Sequence, residues 1–143
     1  MRLTNFSDYA LRLLMFAASQ GDRLITIEET AQLYGISRGH LMKIANQLTR
    51  AGVMKAVRGR SGGLVLARPP QKIRLSDVLR LTEPDFALVE CFGSEDSQCL
   101  ITPRCRLRGA LKNALAAFMR ELDGYTLADL VLKPKDFGIR PAA

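Results

Sequence analysis

The feature that most constrains the fold is a pair of short helical patterns joined at a glycine. Thr26 and Glu29 have the spacing of a capping box at the start of "IEETAQLYG", and Gly35 is placed to end that helix. Ser37 is placed to cap a second helix, "RGHLMKIANQLTRAG", which Gly52 ends. The second helix has one apolar face, formed by Leu41, Ile44, Ala45 and Leu48. Two helices with so short a connection predict a helix-turn-helix.

A hairpin pattern follows the second helix. "VMKAV" and "LVLA" are short runs of β type, and the segment "RGRSGG" between them has the glycines of a turn and basic side chains at its tip. A helix-turn-helix with an appended basic hairpin is a winged helix. We therefore expect a mainly α fold with a small β-hairpin.

The rest of the sequence predicts more helices and one long loop. Apolar spacing predicts a first helix over residues 7–20 and another in "IRLSDVLRLTE", with Ser76 as its cap. Residues 83–104 lack periodicity and read as a loop of about 20 residues, long enough to indicate a function. Thr126 and Asp129 fit a capping box in "TLADLVL". These patterns divide the chain into a winged-helix domain (1–82), a loop (83–104) and a C-terminal helical part (105–143).

The longest predicted helix runs from residue 105 to residue 122 and has an apolar stripe at near-heptad spacing. The stripe consists of Leu107, Leu111, Ala114, Leu115, Phe118 and Leu122. It suits a dimerisation helix, and it also suits a helix that packs on its own core, because a stripe does not specify which surface it meets. We expect a homodimer.

The positive charge is concentrated in the first part of the chain. Residues 1–80 hold 13 Lys and Arg against 5 Asp and Glu, whereas residues 81–143 hold 8 against 9. The segment 38–74 has nine basic residues and no acidic one, a field that attracts a polyanion. The alternative is a solvated basic surface. Double-stranded DNA is the partner that the winged-helix pattern favours.

In a winged helix the second helix of the motif presents its first turns to the major groove, and the wing lies beside the backbone or the minor groove. These placements give a set of candidate DNA contacts: Ser37, Arg38, Gly39, His40, Lys43, Asn46, Arg58 and Arg60.

All three cysteines lie in "CFGSEDSQCLITPRC", at Cys91, Cys99 and Cys105. No uninterrupted apolar run reaches the roughly 18 residues of a membrane span, and the first residues carry charges unlike a signal peptide, so we expect a cytoplasmic protein with no membrane partner. Cytoplasmic thiols are kept reduced, which favours metal ligation over disulfides. Three thiolates fit an iron-sulfur cluster completed by one more ligand from outside the trio. Candidates for that ligand are His40, Glu90, Glu95, Asp96 and Asp8, although spacing alone favours a role for Asp8 as a first-turn acid that complements the helix dipole.

Several segments together resemble the NsrR/IscR/RirA family of winged-helix iron-sulfur transcriptional regulators. They are "MRLTNFSDYALRLL", "GISRGHLMKIANQLTRAG", "VRGRSGGLVLARP", the three cysteines and "LDGYTLADLV". The likeness covers residues 1 to about 132. Within the family, "SRGHLMKIANQL" and "YTLADLV" are most similar to the NsrR branch of nitric-oxide-sensitive repressors, whereas "FALVECF" is closer to the iron regulator RirA.

The resemblance implies a homodimer that binds a palindromic operator and holds a 4Fe-4S cluster in each subunit, with 2Fe-2S as the other option. It implies that Cys91, Cys99 and Cys105 are ligands, so that residues 83–104 form a cluster-binding loop. The IscR branch completes its site with a histidine shortly after the third cysteine, and here Arg106, Leu107 and Arg108 occupy that stretch. In the NsrR branch the fourth ligand is an aspartate from the first helix of the other subunit, and Asp8 stands at that position. The resemblance therefore favours Asp8 as a ligand over its role as a first-turn helix acid.

Two functions within regulation follow from the resemblance: a repressor that releases DNA on sensing nitric oxide, and an iron-responsive regulator that senses iron through cluster loss. Outside this family, a zinc-stabilised DNA-binding protein and an electron carrier stay open. A thiol-disulfide enzyme is disfavoured because there is no Cys-x-x-Cys motif. One histidine and no nucleophile motif give no basis for a hydrolase, and we expect that the protein is not an enzyme.

Overall fold

The computed structural model describes residues 1–93 and 97–138. Six α-helices and one two-stranded antiparallel sheet are assigned within these residues. They are α1 (Asn5–Ser19), α2 (Ile27–Tyr34), α3 (Arg38–Arg50), β1 (Met54–Val57), β2 (Gly63–Leu66), α4 (Leu75–Thr82), α5 (Glu90–Gly93) and α6 (Arg106–Asp123). Four short 3-10 segments lie at Pro70–Lys72, Thr102–Arg104, Leu127–Leu130 and Pro134–Phe137. None of the helices assigned in this part of the chain is long and apolar enough to cross a membrane. The expected fold class, mainly helical with a small hairpin, is confirmed.

Helix α1 is the centre of the core. Its Leu13, Leu14 and Phe16 are fully buried, and they pack with Ile44 and Leu48 from the inner face of α3. Burying each such side chain contributes about 1.5–3 kcal/mol, so the α1 and α3 faces fix the helix-turn-helix on one scaffold.

The caps predicted for the helix-turn-helix are confirmed. The Thr26 side chain accepts a hydrogen bond from the Glu29 amide, and the Glu29 side chain accepts one from the Thr26 amide. Gly35 ends α2 in the left-handed region at φ 64°, which glycine adopts without a steric penalty. The Ser37 side chain caps α3 by accepting from the His40 amide. These caps set the turn between α2 and α3.

The wing is the β1–β2 hairpin, paired from Met54 with Leu66 to Val57 with Gly63. Ile25 adds a third, single-residue bridge: its amide donates to the Leu64 carbonyl at 2.9 Å and its carbonyl accepts from the Leu64 amide at 2.7 Å. The bridge attaches the base of the wing to the segment that precedes α2.

Helix α4 begins two residues earlier than expected, and Ser76 is not its cap. Arg74 occupies the cap position without a side-chain hydrogen bond. Ser76 lies inside the first turn, is buried, and donates instead to Asp123 at the end of α6. The prediction was wrong because a serine at the start of a helix can also serve a tertiary contact, which spacing does not show.

The start of α1 is connected to the segment that follows α4. The Thr4 amide donates to Glu83 Oε1 at 2.8 Å and the Thr4 hydroxyl donates to the same oxygen at 3.0 Å. The hydroxyls of Ser7 and Thr82 are hydrogen-bonded at 2.7 Å in a buried position. These contacts hold the entrance of the 83–104 segment against the N-terminus of α1.

Residues 83–104 are less irregular than expected, because α5 and the segment Thr102–Arg104 give this region two short helical turns. Cys91 lies in α5, and Cys105 immediately precedes α6.

Helix α6 has 18 residues, about 27 Å of axial length, and none of them is buried. The residues of the predicted apolar stripe differ in exposure. Its Leu111, Leu115, Phe118 and Leu122 are partly covered, whereas Leu107 is 63% exposed and Ala114 is exposed as well. Helix α6 therefore packs on the rest of the chain along part of its stripe and leaves the remaining apolar surface open to solvent.

The chain after α6 returns to the core around α1. The capping box at Thr126 and Asp129 is confirmed, and the Leu127 side chain is fully buried in the same core as α1. Phe137 contacts Phe16 edge to face, with 5.6 Å between ring centroids. The segment after α6 therefore connects the C-terminal end of α6 to the winged helix.

Candidate functional site

The outer face of α3 carries most of the candidate DNA contacts. Arg38, Gly39, Lys43 and Asn46 are exposed, whereas the apolar face of the same helix is buried. Arg38 forms an ion pair with Glu28 of α2 at 3.1 Å, with both side chains more than half exposed. An exposed pair of this kind contributes less than about 1 kcal/mol, so Arg38 can exchange Glu28 for a phosphate.

His40 is placed differently from its neighbours on α3. Its ring is partly covered by α1: the Tyr9 ring lies edge-on at 5.1 Å between centroids, and the Phe6 ring lies at 6.1 Å. The first turn of α3, the recognition helix of the motif, is thus in direct contact with the first turns of α1.

The wing presents the second group of candidate contacts. Arg58 and Arg60 are both exposed at the hairpin tip, in the connection between β1 and β2. Their distance from the protein core leaves both guanidinium groups available to a polyanion.

The three cysteines are all free thiols. Cys91 and Cys105 are partly buried and Cys99 is exposed. The Cys105 sulfur caps α6 by accepting from the Arg108 amide at 3.4 Å. Within residues 1–93 and 97–138, no three His, Cys, Asp or Glu side chains converge closely enough to hold a metal ion. The three thiols therefore lie in one region of the chain, but they are not arranged as a closed metal-binding site.

Two residues beside the cysteines were missed by the sequence analysis. Among the described residues, the buried side-chain polar atoms that lack a hydrogen-bond partner are Thr102 Oγ1 and Arg108 Nε. Arg108 also donates from its terminal nitrogen to the Cys91 carbonyl at 3.5 Å. The available signal was spacing: Arg108 follows Cys105 by three residues on a helix and therefore lies on the same side.

Asp8, the acid proposed from resemblance, lies in the first turn of α1 and is bound to Arg12. Two hydrogen bonds join them, Nε to Oδ1 at 3.0 Å and Nη2 to Oδ2 at 2.7 Å. The Arg12 guanidinium lies over the rings of Tyr9 and Tyr34, at 5.5 and 5.9 Å from their centroids. Burial raises the pKa of Tyr34, against the opposing effect of Arg12, so its hydroxyl stays protonated and donates to the Arg12 carbonyl.

Three other acids were candidates for the fourth ligand. Of these, Glu90 is exposed in α5. Glu95 and Asp96 lie outside the described residues.

A capped helix-turn-helix, a basic wing fastened to it and exposed basic side chains on the recognition helix define a winged-helix DNA-binding protein. The chain matches the Rrf2 family, described as "Iron-dependent Transcriptional regulator", over residues 3–133. It belongs to this family.

The similar proteins within this family are also described as transcriptional regulators. The chain is 43% identical over 133 residues to the HTH-type transcriptional regulator NsrR of Bacillus licheniformis, covering 92% of this chain and 93% of the relative. It is 42% identical over 137 residues to the NsrR of Shouchella clausii, covering 95% and 92%. A crystal structure of a transcriptional regulator from Listeria innocua superposes with a TM-score of 0.70 at 32% identity, over 91% of this chain and 85% of that one. The expected class, a DNA-binding transcriptional regulator of the NsrR type, is confirmed.

Proposed function

We propose that the protein is a homodimeric repressor that binds a palindromic operator and releases it when nitric oxide reacts with an iron-sulfur cluster held by each subunit. The observation that carries the proposal is the contact between Asp8's neighbours and the recognition helix: Phe6 and Tyr9, on either side of Asp8 in sequence, both touch the His40 ring.

The donor set near the cysteines fits an iron-sulfur cluster. Three free thiols lie within 15 residues, and cysteine thiolates are the usual ligands of iron-sulfur clusters. The unpartnered Thr102 and Arg108 donors in the same region suit an anionic group, because a buried donor without an acceptor costs about 1–3 kcal/mol. The thiols need to close together on metal binding, which is ordinary for sites whose folding is coupled to the metal. Cys91, Cys99 and Cys105 would hold the cluster, most simply as 4Fe-4S.

Asp8 of the second subunit is the proposed fourth ligand. In its own chain Asp8 takes no part in a group of three potential metal ligands among the described residues. Its exposed pair with Arg12, four residues on, contributes only about 0.3–0.5 kcal/mol, which a metal bond easily outweighs. Arg12 is held by the two tyrosine rings independently of Asp8, so the carboxylate is free to leave without rearranging α1.

Few residues separate the proposed ligand, Asp8, from the DNA-binding face of α3. The cluster supplies, when bound, iron that reacts with nitric oxide. Asp8 would hold the cluster of the other subunit and so connect that subunit's cysteine segment to α1, and the Phe6 and Tyr9 rings connect α1 to His40. Loss of the tether lets α1 and the first turn of α3 shift together. Two recognition helices have to sit about 34–36 Å apart to read both half-sites, so a small shift lowers operator affinity.

Helix α6 is the proposed dimer contact. Leu107, Ala110, Ala114 and Ala117 lie along one edge of it and are all exposed. Small residues at this spacing let a second helix approach closely, and their burial supplies the driving force for association.

The Asp8→Ala variant tests the ligand assignment. We expect the purified variant to keep a coloured cluster on its three thiols, and to bind operator DNA with a response to nitric oxide that differs from that of the wild type. The readouts are the visible absorbance of the cluster and anaerobic fluorescence anisotropy with labelled operator. An unchanged nitric-oxide response would remove Asp8 from the mechanism. Asp22→Ala, an exposed acid after α1, is the matched control.

A second function is favoured by the family's description as iron-dependent. In it, the same residues report iron sufficiency, and DNA affinity changes when the cluster is lost to iron scarcity. Titrating the DNA complex with an iron chelator and with nitric oxide separates the two. Both functions are binding functions, and neither gives the chain an enzymatic role.

A further inference from the structure

Arg108 is directed at the cysteines from the first turn of α6. Its amide donates to the Cys105 sulfur at 3.4 Å, and its Nη2 donates to the Cys91 carbonyl at 3.5 Å. One residue therefore joins both partly buried cysteines. The remaining donor, Nε, is buried and has no acceptor among the described residues.

Thr102 repeats this situation on the other side of Cys105. It lies in the 3-10 turn Thr102–Arg104, where its amide donates to the Cys99 carbonyl at 3.2 Å. Its hydroxyl is buried and also lacks a partner within the part of the chain that the structure describes. Each orphan donor thus belongs to a residue whose backbone or other side-chain nitrogen already bonds a cysteine.

Buried donors are rarely left unpaired, because losing their hydration is costly. An orphan donor in a native fold therefore indicates an acceptor that occupies the position in the functional state. Both donors belong to residues that already bond the cysteines, so thiolate sulfur is the acceptor that neighbouring side chains can supply, and an iron-sulfur cluster would add sulfide.

We propose that Arg108 and Thr102 are positioning residues that donate hydrogen bonds to the sulfurs of the metal centre and, through Arg108, compensate its negative charge. This inference rests on the proposed function, since it requires a cluster on the three cysteines.

The charge balance explains why a cation is useful here. Three thiolates and one carboxylate bring four negative charges to the cluster, and a 4Fe-4S core in its 2+ state leaves a net charge of about −2. Arg108 cannot itself be a ligand, because a guanidinium stays protonated and has no free lone pair. It can lower the cost of burying the centre, and hydrogen bonds to sulfur raise the reduction potential.

The experiment compares the wild type with four variants, all reconstituted anaerobically with iron and sulfide: Arg108→Gln, Arg108→Lys, Thr102→Val and Arg106→Gln. Arg106→Gln is the matched control, because Arg106 is an exposed arginine in the same helical turn and makes no side-chain hydrogen bond to a cysteine among the described residues. Circular dichroism establishes that each variant is folded. The measurements are the midpoint potential from an anaerobic redox titration and the rate at which a chelator bleaches the cluster.

We expect Arg108→Gln to lower the midpoint potential and to speed bleaching by about 10- to 100-fold, the range found for residues that support metal ligands. Arg108→Lys should restore part of the potential through its charge and less of the stability, because it lacks the planar fork. Thr102→Val keeps the shape of the side chain and should shift the potential in the same direction by a smaller amount.

Potentials and bleaching rates of Arg108→Gln and Thr102→Val equal to those of Arg106→Gln would overturn the inference while leaving the cluster in place. A wild-type protein that takes up no iron-sulfur cluster would instead overturn the proposed function. The two failures are therefore distinguishable in one series.

Discussion

Asp123 joins the end of α6 to α4 through Ser76 and Arg80. The hydrogen bond from Ser76 holds the pKa of Asp123 below its ordinary value, outweighing partial desolvation, and Arg80 adds to the lowering. A carboxyl whose pKa is lowered on folding stabilises the fold above the unfolded value of about 3.9 and ceases to do so as pH falls through the folded value.

We therefore expect Asp123→Asn to lower the melting temperature at pH 7 and to differ less from wild type as pH falls below about 3.9. Thermal unfolding followed by circular dichroism across pH 2–7 measures this. Asp77→Asn removes the same charge from a position that contacts Arg80 and has no recorded bond to α6. A pH-independent difference for Asp123→Asn would contradict the assignment of its role to the ionised carboxyl.

Arg60 is the residue at which the wing's role can be measured. An exposed arginine at the hairpin tip that neutralises one phosphate contributes about −0.9 to the slope of log affinity against log salt concentration. Arg60→Ala should weaken operator binding and flatten the slope by about 1. Arg120→Ala, at the far end of α6, should leave the slope unchanged. An unaltered slope in Arg60→Ala would separate the wing from the phosphates.

At the scale of elements, the wing depends on a glycine where it meets the core. A Cβ on Gly63 would lie 2.5 Å from the Ile25 carbonyl oxygen and 3.1 Å from Leu24 Cβ. The backbone oxygen cannot retreat without breaking the bridge between Ile25 and Leu64. No side chain larger than hydrogen fits at this position.

Gly63→Ala should reduce the free energy of unfolding by about 1–3 kcal/mol, the usual cost of overpacking, and should weaken DNA binding by loosening the wing. Denaturant unfolding and operator anisotropy measure the two effects. Gly109→Ala is a matched control, because a Cβ there meets nothing within 4 Å and the helix gains about 0.4–1 kcal/mol. A Gly63→Ala protein as stable as wild type would show that the base of the wing has room.

The elements were predicted well from sequence where the signal is local. Capping boxes, the glycine stop of α2 and the hairpin turn involve residues within a few positions of each other, and each is confirmed. Ser76 was misread because its partner, Asp123, is 47 residues away. The bridge between Ile25 and the wing was not anticipated for the same reason: long-range pairing leaves no periodic trace in a single-residue strand.

The candidate site divides in the same way. Exposed basic residues on α3 and the wing follow from helix and hairpin patterns. The covering of His40 by Phe6 and Tyr9 and the unpartnered donors of Thr102 and Arg108 depend on packing between segments. The pairing of Asp8 with Arg12 is local, because the two residues are four apart on α1. Asp8 as a ligand came from family resemblance and stays a prediction.

At the scale of the whole molecule, α6 is the proposed dimer contact. The Leu107 side chain is 63% exposed in the single chain, so the charge that Leu107→Glu introduces should be harmless to folding. In a dimer that buries this side chain, the same charge should shift the protein to monomer and lower operator affinity. Analytical ultracentrifugation measures the shift.

Ala116→Glu adds an equal charge on the opposite side of α6 and should stay dimeric. A dimer that tolerates Leu107→Glu would mean that another surface joins the subunits.

The central claim is that nitric oxide releases DNA through a cluster on three thiols. The most direct measurement is anaerobic native mass spectrometry of the protein bound to operator DNA, with nitric oxide and an iron chelator added in separate titrations. We expect a dimer with iron and sulfide on each subunit, which loses DNA at a few equivalents of nitric oxide and retains it through chelator additions that leave the cluster in place. Zinc or bare thiols in the starting complex, or DNA that is released by chelator and retained with nitric oxide, would contradict it.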